Sequence, residues 1–170
     1  QKSFRLDFKS RYTGDLEYPL FTNKGYINKF NNINLRNGGN IRAEKIKDGF
    51  FSLLAQETNI DVLGYEPCLV YLNGKYWGLY GIREKGDERY IEDNHYISSD
   101  SIDLLGSKYF PSATTPVKIL HGTDEDFIKA YHSIMNTDPH SNYFYDLIDS
   151  VFDIGNYIDY FIFETYIQNK

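Results

Sequence analysis

Three consecutive charged residues, Arg83, Glu84 and Lys85, end an apolar stretch that is rich in glycine and aromatic residues. Such a cluster either lies in solvent at the end of a strand or binds something charged. Side chains alternate between the two faces of a strand, so Arg83 and Glu84 are predicted to point in opposite directions. They form one contiguous site only if a bulge shifts the register. A buried Glu84 would need a cationic partner, which an arginine from another element could supply.

A second feature with possible chemistry is the glycine-rich turn in LRNGGN, residues 35–40, which follows a predicted strand. It is not a Walker loop, because no Gly-Lys-Ser/Thr sequence follows it. Backbone N–H groups in such a turn can bind an anion, and Arg36 and Arg42 lie beside it. A plain turn is the alternative interpretation.

The single cysteine and the four histidines do not form a recognisable catalytic or metal-binding pattern. Cys68 lies in the apolar sequence EPCLVYL, where a small buried residue is expected rather than a nucleophile. The histidines lack the spacing of a zinc site, so they are interpreted as surface or core residues. These residues therefore predict no catalytic group and no metal ligand in this chain.

Composition limits the classes of partner. The 170 residues suit one domain, and the net charge of −6 without a Lys/Arg block argues against nucleic-acid binding. No apolar run reaches the roughly 18 residues that a membrane-spanning helix needs. No signal peptide is visible, and the chain begins in a predicted strand and ends in a predicted helix, so we interpret it as a piece of something longer.

The order of predicted elements is typical of an α+β protein with an antiparallel sheet, strands first and helices last. Strands are predicted in SFRLDFKS and FNNINLRN, a helix over Ile46 to Thr58, and three helices near the end. Asp87 is predicted to cap a short helix, and Thr123 is predicted to cap the first of the three helices near the end. The segment SKYFPSATT is predicted to be a loop. The last helix is apolar nearly all round, which favours a buried position.

Asn73-Gly74 is the strongest hairpin signal in the chain, and it joins the predicted strands Leu69–Leu72 and Tyr76–Glu84. A two-residue turn would pair Val70 with Trp77 and Cys68 with Leu79. Both faces are then largely apolar, so the hairpin is predicted to be central and covered on both sides. Gly78 and Gly81 weaken the second strand, and such glycines often mark a bulge or a position where another segment approaches the backbone closely.

These pieces, in this order, resemble the spore coat protein CotH family of atypical secreted kinases. The resemblance covers essentially the whole chain. It is carried by KSFRLDFKSRY, INLRNGGN, the long segment from IKDGFF to DERYI, and DIGNYIDYFIFETYIQN. The combination of Asn-Gly, Tyr-Trp-Gly and Arg-Glu in the long segment is more specific than any single motif.

The resemblance implies a kinase-like fold that binds ATP with Mg²⁺ and phosphorylates proteins, at the cell surface or after secretion. Residues 1–170 would then be the N-terminal part of the kinase domain, strand-rich over 1–120 and helical over 121–170. The hairpin and the helix from Ile46 would belong to the lobe that covers the nucleotide. The charged candidates for contact with the cofactor phosphates, or for supporting ion pairs, are Arg36, Arg83, Glu84 and Lys85.

The chain departs from the family pattern in three places. Ile41 and Gly106 stand where the family often has carboxylates. The catalytic Asp-Trp-Pro-like stretch and the metal-binding aspartate of the family would come after Lys170. We therefore expect no phosphoryl transfer from this piece alone. The alternative is a non-catalytic binding or structural protein of the cell surface or spore coat, and the aromatic content of 17% also leaves a sugar-binding module open.

Overall fold

A computed structural model of the protein describes residues 2–8, 11–12, 14–37, 47–112 and 115–168. In these ranges the fold is mixed α+β, with antiparallel sheets and five α-helices. The chain divides into two compact units, Gln1–Gly86 and Asp87–Lys170.

The first unit contains six strands and one helix in its described part: β1 Phe4–Asp7, β2 Leu16–Glu17, β3 Lys29–Phe30, β4 Asn32–Arg36, α1 Lys47–Ala55, β5 Tyr65–Leu72 and β6 Lys75–Arg83. Four of the strands form an antiparallel sheet in the order β1-β4-β6-β5. A second sheet pairs the two very short strands β2 and β3.

The hydrophobic core of this unit lies against one face of the four-stranded sheet. A buried cluster consists of Phe21, Ile27, Phe30 and Ile33, and the Phe21 and Phe30 rings meet edge to face with centroids 5.6 Å apart. Ile82 of β6 packs against this cluster. The strand alternation in β4 therefore turns Ile33 toward the core and its neighbours Asn32 and Asn34 toward the opposite face.

Asn73 and Gly74 connect β5 to β6, with φ angles of 51° and 77°. Leu72 pairs with Lys75 and Tyr71 with Tyr76, but the register then shifts by one residue. Trp77 is the extra residue, and Gly78 adopts a φ of 151° that favours glycine.

This bulge overturns two predicted pairs in the hairpin. Val70 pairs with Gly78 rather than with Trp77, and Cys68 pairs with Tyr80 rather than with Leu79. Leu79 instead lies opposite Leu69. The prediction assumed an uninterrupted two-residue hairpin, and one inserted residue exchanges the faces of everything beyond it.

The hairpin is also less central than predicted. Strand β6 lies inside the sheet, but β5 is at one end of the strand order in the part of the chain that the structure describes. The outer end of the hairpin is not covered on both sides, since Tyr71, Tyr76 and Trp77 are exposed. Apolar composition on both faces therefore did not mean burial of both faces here.

The second unit contains a two-stranded antiparallel sheet, a 3-10 turn at Ser99–Ser101 and four helices. The element bounds are α2 Glu88–His95, β7 Leu104–Ser112, β8 Thr115–His121, α3 Glu125–Met135, α4 Asn142–Val151 and α5 Ile154–Tyr166. Strand β7 includes much of the segment SKYFPSATT, which was predicted to be a loop.

Helix starts were predicted with mixed success. Asp87 caps α2 as predicted, because its carboxylate accepts a hydrogen bond from the Tyr90 N–H at 3.3 Å. Helix α3 begins after Asp124, whereas Thr123 was predicted as its cap. Helix α5 was predicted to be buried, but its aromatic residues, such as Tyr157 and Tyr166, are exposed. No helix in the described ranges has the length and apolar character needed to cross a membrane.

Candidate anion-binding site

The pairing of β4 with β6 places two of the predicted site residues on the same face of the sheet. Arg83 lies opposite Asn34, and Arg36 lies opposite Gly81. Residues that lie directly opposite one another on antiparallel strands share a face, and so do residues two apart on one strand. Arg36 and Arg83 are therefore diagonal neighbours on one surface, opposite the face that packs on the hydrophobic core.

The two arginines differ in their access to solvent. The Arg83 residue is only 9% exposed, whereas Arg36 near the end of β4 is exposed. A ligand that binds this face would therefore contact Arg36 on the solvent side of the site. It would contact Arg83 on the enclosed side. The predicted anion-binding turn Gly38-Gly39-Asn40, with Arg42, lies outside the described residues.

The glycine beside these arginines makes room for a tyrosine rather than for a ligand. Tyr65 of β5 lies opposite Arg83, and its ring occupies the space that a side chain at Gly81 would need. A side chain at Gly49 of α1 would overlap the same ring. Tyr65 is thus held between a strand and a helix, and the predicted close approach at Gly81 is a packing contact.

Glu84 lies on the other side of the sheet and is paired with a lysine that sequence reasoning missed. Lys24 Nζ is 2.8 Å from Glu84 Oε2, and the two side chains are 8% and 6% exposed. The same Nζ donates to the Val62 carbonyl at 2.7 Å. The prediction that a buried Glu84 needs a cationic partner is therefore confirmed, but the partner is a lysine and not an arginine.

The backbone at Gly64 completes the surroundings of this ion pair. Its N–H donates to Glu84 Oε2, and its carbonyl accepts from the Glu84 N–H at 3.3 Å. A side chain at Gly64 would come within 2.8 Å of the Phe21 ring and 3.0 Å of Glu84 Oε2. The carboxylate thus joins three segments: the loop that carries Lys24, residues 62–64, and the end of β6.

The four predicted residues are therefore divided by the sheet. Arg36 and Arg83 share one face, Glu84 lies in the ion pair behind it, and Lys85 follows the end of β6 in a half-buried position. Lys24 gave no sequence signal, because it is 60 residues from Glu84 and sits in a turn-rich segment. Only the folded chain brings the two charges together.

Cys68 has the environment of a structural residue. It is half-buried on β5, and burial raises the pKa of its thiol. A raised pKa lowers the fraction of thiolate, which is the reactive form. The predicted role as a small packed residue fits this environment.

We expect Cys68 to react slowly with Ellman's reagent in the native protein near about pH 8, where an unperturbed thiol is partly ionised. In denaturant the rate should rise at least about tenfold, because both exposure and thiolate fraction increase. The release of thionitrobenzoate is followed by its absorbance at 412 nm, over a period on the order of minutes. A native rate equal to the denatured rate would show that Cys68 is an accessible, reactive thiol.

Among the residues that the structure describes, no group of three or more His, Cys, Asp or Glu side chains is arranged to hold a metal ion. Arg36 and Arg83 place two positively charged side chains on one face of the sheet, and such a combination favours an anionic ligand.

The whole chain, residues 1–170, matches the family model described as CotH kinase protein. The protein belongs to this family, as its motifs suggested. No curated protein and no solved structure matches the chain.

Proposed function

We propose that residues 1–170 form the nucleotide-side, N-terminal part of a CotH-like kinase domain, which transfers phosphate from ATP to protein substrates. The observation that carries this proposal is the shared face of Arg36 and Arg83 in a chain that belongs to the CotH kinase family over its full length. A surface or secreted location, including the spore coat, is part of the same proposal.

In this proposal the arginines bind the phosphates of ATP. A guanidinium group presents its N–H donors in a planar fork that matches two phosphate oxygens, and it stays charged at all relevant pH values. Arg83 is held in place by burial, whereas Arg36 meets the ligand from solvent. Lys85, just beyond β6, is the third candidate for a phosphate contact. When bound, Mg²⁺ would supply neutralisation of phosphate charge.

Glu84 has a different part in this proposal. Its carboxylate is buried and already bonded to Lys24 and Gly64, on the side of the sheet away from Arg36 and Arg83. It therefore acts as a positioning residue that fixes the end of β6 between Arg83 and Lys85. Lys24 belongs to the same positioning unit.

The proposal is tested by binding. Arg83→Ala should weaken the affinity of the 170-residue chain for MgATP about tenfold or more, because a charge-assisted hydrogen bond contributes about 1.5–3 kcal/mol. Arg36→Ala should weaken it about 3–10-fold, since solvent screens an exposed charge. Isothermal titration calorimetry measures both constants.

Arg89→Ala is the matched control, because Arg89 is an exposed arginine on α2 that pairs with Glu92 at 3.3 Å. Its affinity for MgATP should equal that of the wild type. Transfer is tested separately on the full-length gene product with γ-labelled ATP, because we propose that residues 1–170 bind ATP without transferring its phosphate. Wild-type affinity in Arg83→Ala would contradict the assigned site.

The exposed end of the β5–β6 hairpin favours the second candidate function, a non-catalytic binding protein. Tyr71, Tyr76 and Trp77 lie there with exposed rings, and Tyr71 and Tyr76 stack edge to face with centroids 5.7 Å apart. Exposed aromatic residues are common at sites that contact proteins. If MgATP does not raise the melting temperature of the chain, the non-catalytic binding protein becomes the better supported hypothesis.

A further inference from the structure

The face that carries Arg36 and Arg83 continues onto β1. Arg5 lies opposite Asn34 of β4, and Asn34 in turn lies opposite Arg83 of β6. One row across three strands therefore contains Arg5, Asn34 and Arg83, all on the same face. Arg36 is two residues beyond Asn34 and shares that face. The three arginines thus surround one uncharged amide side chain.

The spacing of these positions follows from sheet geometry. Neighbouring strands lie about 4.8 Å apart, so Arg5 and Arg83 are separated by about 10 Å across β4. Arg36 is a diagonal neighbour of both, at about 7–8 Å. The long side chains of three arginines at these separations can converge on one ligand that carries more than one anionic group.

We propose that this triangle binds the di- or triphosphate tail of the nucleotide, and that Arg5 is a binding residue of the site. The inference rests on the proposed function for the identity of the ligand. Arg5 and Arg36 are exposed and form the open side of the triangle, while Arg83 forms the enclosed side. A ligand with several phosphate groups matches the charge of three guanidinium groups better than a single phosphate does.

Asp7 is an acidic group next to Arg5 in this site. Its Oδ1 is 2.7 Å from Arg5 Nε, and both side chains are about half exposed. An exposed ion pair of this kind contributes little to stability, so a phosphate group can replace Asp7 as the partner of Arg5. The negative charge of Asp7 also repels an anionic ligand. It therefore lowers the affinity of the site for the polyphosphate.

The test is a calorimetric titration of the 170-residue chain with sodium tripolyphosphate. Arg5→Ala should weaken binding about 3–10-fold and reduce its salt dependence, whereas Asp7→Asn should tighten it about 2–3-fold. Arg5→Lys keeps the charge without the planar fork and should fall between wild type and Arg5→Ala. Lys29→Ala is the control, since Lys29 lies on β3 of the other sheet. It should bind as the wild type does.

Wild-type affinity in Arg5→Ala, with an unchanged far-UV spectrum and melting temperature, would overturn the inference. So would a wild-type chain that binds inorganic phosphate as tightly as tripolyphosphate. If Arg5→Ala binds tripolyphosphate normally but Arg83→Ala loses MgATP, the inference fails and the proposed function stands. If tripolyphosphate affinity depends on Arg5 but the full-length gene product transfers no phosphate, the polyphosphate site stands without the kinase activity.

Discussion

Replacing Lys24 by methionine should lower the free energy of unfolding by about 3–5 kcal/mol, because it leaves the Glu84 carboxylate buried without its cation. Glu84 is 6% exposed and Lys24 Nζ is 2.8 Å from its Oε2, so water does not replace the lost partner easily. For a chain of this size the loss corresponds to a fall of roughly 6–20 °C in melting temperature. Urea unfolding followed by the fluorescence of Trp77 measures it, because this single tryptophan lies in the same unit as the pair.

A double variant separates the ion pair from the rest of the site. In Glu84→Gln the amide oxygen still accepts from the Gly64 N–H, but Lys24 is then buried without its anion. Lys24→Met combined with Glu84→Gln removes both charges, so it should lose less than the sum of the two single variants by about 1–3 kcal/mol.

Lys29→Met is the matched control for the charge. Lys29 is exposed and lies 3.7 Å from Asp15 and 3.8 Å from Glu17, so its removal should cost less than about 1 kcal/mol. A loss of similar size in Lys24→Met would mean that water reaches the Lys24–Glu84 pair in solution. The positioning role of Glu84 would then lose its physical basis.

Gly81→Ala is the second variant with a large expected effect. A methyl group at this position would overlap the Tyr65 ring, which is also confined by Gly49 on the helix side. The ring has no room to withdraw, so overpacking should destabilise the protein by about 1–3 kcal/mol or more. The same substitution should weaken MgATP binding, because Gly81 lies opposite Arg36 and Tyr65 lies opposite Arg83.

Tyr65→Leu provides the test of this mechanism. A smaller side chain at Tyr65 leaves space for the methyl group, so Gly81→Ala should cost less in a Tyr65→Leu background than alone. Gly25→Ala is the control, because a side chain there meets nothing within 4 Å. Its stability should stay within about 1 kcal/mol of the wild type. Additive losses for Gly81→Ala and Tyr65→Leu would show that the two positions do not compete for one space.

Several parts of the fold could be predicted because they depend on neighbouring residues. The alternation in FRLD and NINLR was sufficient to assign β1 and β4, and the side-chain oxygen of Asp87 was sufficient to place the start of α2. The family could be predicted as well, since its motifs extend along the whole chain. The division of Arg83 and Glu84 between two faces followed from strand alternation alone.

Other features depended on contacts between distant residues. Lys24 and Glu84 are 60 residues apart, and no local pattern marks Lys24 as a partner. The bulge at Trp77 changed the pairing of β5 with β6. The exposure of α5 depends on which segments surround the helix and not on its own composition. The extension of the arginine face to Arg5 likewise needed the register of three strands.

The sequence by itself determined the family, the charged residues that stand at strand ends, and the alternation of side chains along each strand, because alternation and capping act over a few residues. Only the tertiary structure decided which strands pair with one another, and therefore which of these side chains share a face. The pairing of β1, β4 and β6 brought Arg5, Arg36 and Arg83 together on one surface and left Glu84 on the other. The physical reason is that burial and strand register are properties of segments that the chain brings together from far apart.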